Sequence, residues 1–252
     1  CLYQQIKMLL DSETFCAMFD KDRPFPQYRI DPGLDTIFGP TLKFHRRLRI
    51  HPGSKFAYTC GMDNKIYVYD LSARMLHQTL VFPSTAYIKL QDIAVSFDGK
   101  ELYAVGLLDD KDSIIAAVSI NVPSGVHTWI DGSSVKCAFK YVSLAISESF
   151  GLHALAKNRG LYRLTGIGTP TFTETQLSLF NGTGLLYISD EFNTAFAAMN
   201  SLIATETTHF NNIISVDLTN PPNTFLYPVE GEDLGNDLLV ETNKLYVTGT
   251  SA

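Results

Sequence analysis

Apolar and polar residues alternate along most of this chain, in short runs closed by glycine, proline, asparagine or aspartate. Such period-two patterning marks strands with a buried face. The run Ile93-Ala94-Val95-Ser96-Phe97-Asp98-Gly99-Lys100-Glu101-Leu102-Tyr103-Ala104-Val105-Gly106 shows it best: an apolar stretch, a turn, and a second apolar stretch. It recurs in altered form from Leu48, and in weaker copies from Leu144, Leu186 and Leu238, the starts lying 45, 51, 42 and 52 residues apart. A repeat of that length accommodates one four-stranded antiparallel sheet.

Turn residues divide each repeat into strands. The first gives Leu48–Ile50, Phe56–Cys60, Ile66–Leu71 and Leu76–Phe82; the second gives Ile93–Ser96, Glu101–Val105, Ile114–Ile120 and His127–Ile130. The turn Phe97-Asp98-Gly99-Lys100 is a strong hairpin signal, because glycine takes positive φ at little cost. The third repeat gives Leu144–Ile146, Leu152–Ala156, Gly160–Leu164 and Thr171–Leu177; the fourth gives Leu186–Ser189, Ala195–Met199, Ile213–Leu218 and Phe225–Val229. Between the second and third strands of that fourth repeat, Asn200–Asn212 reads as a polar insertion on one rim.

Sheets repeated in this way predict an all-β fold, a β-propeller of four-stranded antiparallel blades in one domain over residues 1–252. Residues 1–47 are expected to supply N-terminal outer strands and a linker, 48–90, 91–141, 142–182 and 183–236 full blades, and 237–252 the inner strands of a closing or truncated blade. Leu238–Val240 and Leu245–Thr248 are those inner strands, and Ile6–Leu10 with Thr14–Phe19 look like the outer pair that completes them. Five blades then close a ring and seal its edges. A fragment of a larger ring is the other reading.

Composition narrows the function. The chain has 252 residues, 45% hydrophobic and 12% aromatic, enough for a large core. A net charge of −6 argues against binding a nucleic-acid backbone. Arg46-Arg47-Leu48-Arg49 is the one basic cluster, and it reads as the solvated start of a strand. No apolar run reaches the length of about 18 residues that a membrane-spanning helix needs. Cys1 is not an initiator, so the sequence reads as a truncation or as a processed product such as a lipoprotein. Cys1, Cys16, Cys60 and Cys137 have no zinc-ligand spacing. Cys60 falls on a strand as a small apolar residue.

The phrase IAVSFDGKELYAVG, followed by strands such as IYVYDL or IISVDL, resembles the YVTN family of β-propellers, and Lys244-Leu245-Tyr246-Val247-Thr248-Gly249 is close to the tetrapeptide that names it. WD40 propellers are similar too, with Tyr69-Asp70 where their Trp-Asp would stand, although their Gly-His pair is absent from the matching positions. The resemblance implies a fold, an extracytoplasmic or cell-surface location with a cytoplasmic one also open, and often no catalysis. Some similar propellers are lactonases, and others are subunits of amine dehydrogenases.

Chemistry in such a fold gathers where the inner strands begin, because equivalent positions of every blade converge on the axis. Those positions are Arg47, Asp92, Ser143, Leu185 and Asp237. An arginine between carboxylates is either a bidentate clamp for a polar ligand or a salt bridge that satisfies strand ends. Arg47, His51, Asp92 and Asp237 form the candidate axial ligand site. Thr207, His209, Phe210 and Asn211, in the insertion, form the candidate partner-binding segment. His51 and His153 read as packing or turn histidines, and His77, His127 and His209 as residues far from any shared axis. Asp109-Asp110-Lys111-Asp112 and Glu230-Gly231-Glu232-Asp233 lack the alternation of a calcium loop. Gly166-Ile167-Gly168 has no helix after it to cradle phosphate, and Asn181-Gly182-Thr183 is a tight turn before it is a glycosylation site. No catalytic residue, metal or cofactor is expected. The leading expectation is an interaction or scaffold module for protein or glycan partners. A lactonase-like hydrolase with an axial pocket, or the propeller subunit of a redox complex, are the alternatives.

Overall fold

The computed structural model describes residues 45–61, 63–84, 88–108, 112–202, 209–221, 223–229, 233–241 and 244–250. All regular structure among them is β. Blade 1 is built from β1 (His45–Ile50), β2 (Phe56–Gly61), β3 (Lys65–Asp70) and β4 (Met75–Val81). Blade 2 has β5 (Ile88–Val95), β6 (Glu101–Leu108), β7 (Asp112–Asn121), β8 (Val126–Trp129) and β9 (Val135–Lys136). Blade 3 has β10 (Tyr141–Ser147), β11 (Gly151–Ala156), β12 (Gly160–Thr165) and β13 (Thr173–Ser178). Blade 4 has β14 (Thr183–Ser189), β15 (Thr194–Leu202), β16 (His209–Asp217) and β17 (Thr224–Val229), and β18 (Asp233–Glu241) with β19 (Lys244–Thr250) form a fifth, two-stranded sheet.

Every blade is an antiparallel meander in chain order, and each inner strand packs against the next, β1 on β5, β5 on β10, β10 on β14 and β14 on β18. Among the described residues this is a propeller with four full blades and the inner pair of a fifth. The strands expected for outer positions in residues 1–44 lie outside the described residues.

The cores lie between blades, because alternate residues of a strand point to opposite faces. From β5, Ile93 and Val95 join Phe56, Tyr58, Ile66 and Val68 of blade 1, while Ala94 joins Tyr141, Leu144 and Leu152 of blade 3. Leu155 and Leu161 of blade 3 meet Leu186, Ile188, Ala197 and Ile214 of blade 4. Each fully buried large side chain contributes about 1.5–3 kcal/mol. A blade peeled from its neighbour therefore loses most of its stabilisation.

Two features depart from the repeat pattern. The outer strand of blade 2 is broken: β8 pairs with Val118–Asn121 and β9 with Ile114–Ile115 of the same neighbour, β7. At the break the Ser133 hydroxyl accepts from Ala117 N and donates to Ala117 O, both at 3.1 Å, replacing a ladder residue. In blade 4 the described ends of the expected insertion, 200–202 and 209–212, are strand. Pairs Asn200↔Asn211, Ser201↔Phe210 and Leu202↔His209 extend the β15–β16 ladder. Polar residues fit there because paired strands satisfy each other's backbone.

Candidate functional site

The inner strands set up the axial constellation through bulges. The register shifts between His45 and Arg47, between Leu90 and Asp92, between Tyr141 and Ser143, and between Leu234 and Asp237. A bulge re-aims the side chain that follows it. Blade 4 keeps an unbroken register through Leu185, the one apolar residue in the set.

The structure brings Arg47 and Asp92 together. Asp92 is fully buried, and its Oδ1 accepts from Ile93 N at 2.8 Å and from the Arg49 guanidinium at 3.2 Å, with Arg47 Nε at 3.6 Å. Oδ2 accepts from the Ser143 hydroxyl at 2.7 Å and from Leu144 N at 2.9 Å. The Ser143 oxygen in turn accepts from Leu186 N at 3.1 Å. One carboxylate and one hydroxyl thus tie the inner strands of blades 1 to 4 in series. A buried charge needs this much compensation, and it leaves Asp92 little capacity for a ligand. Arg49 and Ser143 are essential to the constellation; sequence reading passed over Arg49 because it lies two residues inside the strand. Asp237 occupies the matching register position in β18, opposite Thr248.

His51 does not join the axis. It is buried at the other end of β1, where its Nε2–H donates to Gly99 O of blade 2 at 2.9 Å and its Nδ1 accepts from Gly53 N at 2.8 Å. A similar link ties blades 3 and 4, where the Ser147 hydroxyl donates to Asp190 at 2.5 Å. At the perimeter the Ser178 and Thr224 hydroxyls meet at 2.7 Å, and Ala138 N donates to the Glu174 carboxylate.

His77 and His127 lie on the outer strands β4 and β8, as the sequence suggested, and they stand beside His51 around Phe56 at the seam of blades 1 and 2. His153 is fully buried, yet only half satisfied: Nδ1–H donates to Gly151 O at 3.0 Å, and Nε2 meets no partner. Burial lowers its pKa to about 4. Cys137 is a buried free thiol that burial, and secondarily Glu174, push up to about 12, so it is no nucleophile. No group of three or more His, Cys, Asp or Glu among the described residues is arranged to hold a metal ion.

Of the candidate partner segment, His209, Phe210 and Asn211 lie in β16 and Thr207 lies outside the described residues. The perimeter next to it holds what the sequence did not announce. Phe225, Leu226 and Tyr227 follow one another on β17, the outermost strand of blade 4, and are 59%, 58% and 51% exposed. Pro228 follows, opposite Asn212, and has no N–H to offer a further strand.

No family model matches this chain, and no curated protein matches it. Among solved structures, U3-55K matches with a TM-score of 0.51 at 13% identity, over 73% of this chain and 51% of that one. The β-propeller domain of Cps50 (Swd1) from Myceliophteria thermophila matches with a TM-score of 0.54 at 10% identity, over 82% and 62%. A candidate 6-phosphogluconolactonase from Bacteroides fragilis matches with a TM-score of 0.55 at 17% identity, over 79% and 61%. The chain spans between about half and about three fifths of the length of these structures. At such identities the likeness is one of fold. Its meander blades, packed inner strands and structural neighbours together show that this chain folds as a β-propeller.

Proposed function

We propose that this propeller is a protein-interaction module, and that its partner docks along the perimeter at β17. The observation that carries the reading is a contrast. Asp92 and Ser143, at the axis, spend their bonding capacity within the fold, whereas three consecutive large apolar side chains stand open on a strand edge. Exposed edge strands pair readily with an extended segment from another chain, the backbone giving affinity and alternate side chains giving specificity. Phe225 and Tyr227 lie on one face of the strand and Leu226 on the other, so such a segment meets apolar contacts on both sides. The β-propeller fold supports the reading, since propellers of this kind serve as scaffolds.

A photo-crosslinking residue at position 225, compared with one at the exposed turn residue Lys100, tests it in extract from the source cells. A discrete adduct at 225 alone, lost in Leu226→Lys, is expected. No adduct at 225, or the same adducts at both positions, ends the reading.

A second reading, hydrolysis of a lactone at the axis, draws support from the Bacteroides fragilis neighbour. Turnover in a screen of sugar lactones that is lost in Asp92→Asn, with folding retained, would favour it over the first.

A further inference from the structure

The seam between blades 1 and 2 is joined by imidazoles. His51, His77 and His127 surround Phe56 at ring-centroid distances of 6.5, 5.4 and 4.8 Å, and His77 lies 6.1 Å from His127. All three take part in bonds that cross the seam. His51 reaches Gly99 O, and His77 Nε2–H donates to Gly125 O at 2.7 Å. His127, on blade 2, donates Nδ1–H to the same Gly125 O at 3.0 Å, while its Nε2 accepts from the Tyr58 hydroxyl of blade 1 at 3.1 Å. The Gln78 side-chain amide bonds both the N–H and the carbonyl of His127.

These bonds use neutral rings. A proton on His51 Nδ1 would face the Gly53 N–H, and one on His127 Nε2 would face the Tyr58 hydroxyl, which must then turn round to accept. The Gly125 carbonyl offsets part of an added charge on His127, but the charged groups around it do not. His77 and His51 both oppose charge on His127, and the Lys55 ammonium sits 5.1 Å over the Phe56 ring, bonded to Val122 O. Tyr58 is held neutral by burial. The nearby carboxylates are engaged elsewhere: Asp98 pairs with Lys100 at the surface at 3.3 Å, and Asp70 accepts from Ser72 N and Ala73 N. Burial, followed by repulsion from the two other histidines, depresses His127 to about 4. His77, on the exposed side of β4, gives the cluster access to solvent protons.

We propose that the outer part of this seam is an acid-sensitive latch, in which proton uptake at His127 loosens blade 1 from blade 2 there and uncovers apolar faces between them, while Arg49 and Asp92 still hold the axial end. The other junctions keep fastenings without imidazole, Asp92 to Ser143, Ser147 to Asp190 and Ser178 to Thr224. In the opened seam His127 regains its ordinary value of 6.5 against about 4 when closed, so opening is favoured as pH falls through that window. For His127 alone the opening constant rises roughly twentyfold between about pH 7 and about pH 5.

Amide hydrogen exchange, corrected for intrinsic rate, tests this on the intact chain at about pH 7 and about pH 5. Protection in β2, β4 and β8 is expected to fall at the lower pH by about that factor, with β11 and β15 little changed. His77→Gln/His127→Gln, which keeps amide hydrogen bonding without a titrating ring, is expected to abolish the difference. Unchanged protection at the seam of the native chain, equal loss in all blades, or a variant that still loosens would each overturn the latch. The native-chain comparison decides even if the variant does not fold.

Discussion

The Asp92 carboxylate and the Ser143 hydroxyl, from the inner strands of adjacent blades, meet at 2.7 Å with Asp92 fully buried and Ser143 1% exposed. Through Leu144 N, Leu186 N and the arginines of β1, this pair spans the four blades.

Asp92→Ala takes the carboxylate away from two guanidinium groups and leaves a hydroxyl and two backbone N–H groups without their acceptor. Breaking a buried ionic group costs about 3–5 kcal/mol, and the partial exposure of Arg47 and Arg49, at 21% and 29%, places the loss toward the lower end. Urea unfolding is the measurement. Ser143→Ala should cost less, about 1–2 kcal/mol, because only Leu186 N loses its acceptor outright while Asp92 keeps its other donors.

Gly160 opens β12 at φ +88°, and a Cβ there would stand 2.0 Å from Ser178 O. Gly160→Ala is therefore strained by both conformation and contact, and should destabilise the chain by about 3 kcal/mol. A drop in the urea midpoint with an unchanged slope checks it.

His153 gives a titration with a definite sign. Its folded value, about 4, lies below the ordinary 6.5, so the unfolded chain binds the proton first and stability falls as pH drops from about 6.5 toward 4. His153→Leu should take up nearly one proton fewer on unfolding at about pH 5, with stability at neutral pH changed by less than about 2 kcal/mol. Unfolding free energies across that pH range provide the test.

On β17, Leu226→Lys places a charge on an apolar strand edge. Self-association at high concentration should decline, while the thermal midpoint moves by no more than an ordinary surface substitution, within about 0.5 kcal/mol. Sedimentation velocity and a melting curve on the same samples separate the two effects.

Much of the framework can be read from alternation alone. The strand expected at Glu101–Val105 is β6, and Ile66–Leu71 overlaps β3 with a shift of one residue, since apolar periodicity and the Asp98-Gly99 and Asp63-Asn64 turns are local signals. Arg47 and Asp92 could be placed near one another from sequence, since both mark the expected start of an inner strand, and β1 and β5 carry them side by side. The closure of Asp92 on Ser143 depends on bulges, which leave no mark in hydrophobic pattern. The histidine cluster was hidden for a different reason: positions 51, 77 and 127 have no common spacing and meet because the outer strands β4 and β8 and the turns after β1 and β5 come together at the seam. Phe225, Leu226 and Tyr227 looked like ordinary strand residues, since sequence shows a strand but not its place at an edge.

The interrupted outer strand of blade 2 has a consequence for how this chain tolerates growth. The Ser133 hydroxyl stands in for backbone, so the ladder of β7 is completed without the exposed Asp131-Gly132 tip. Extra residues spliced in at that tip would extend outward into solvent and leave the sheet's hydrogen bonding intact. The propeller thus carries, midway along one blade, a natural port for lengthening or labelling.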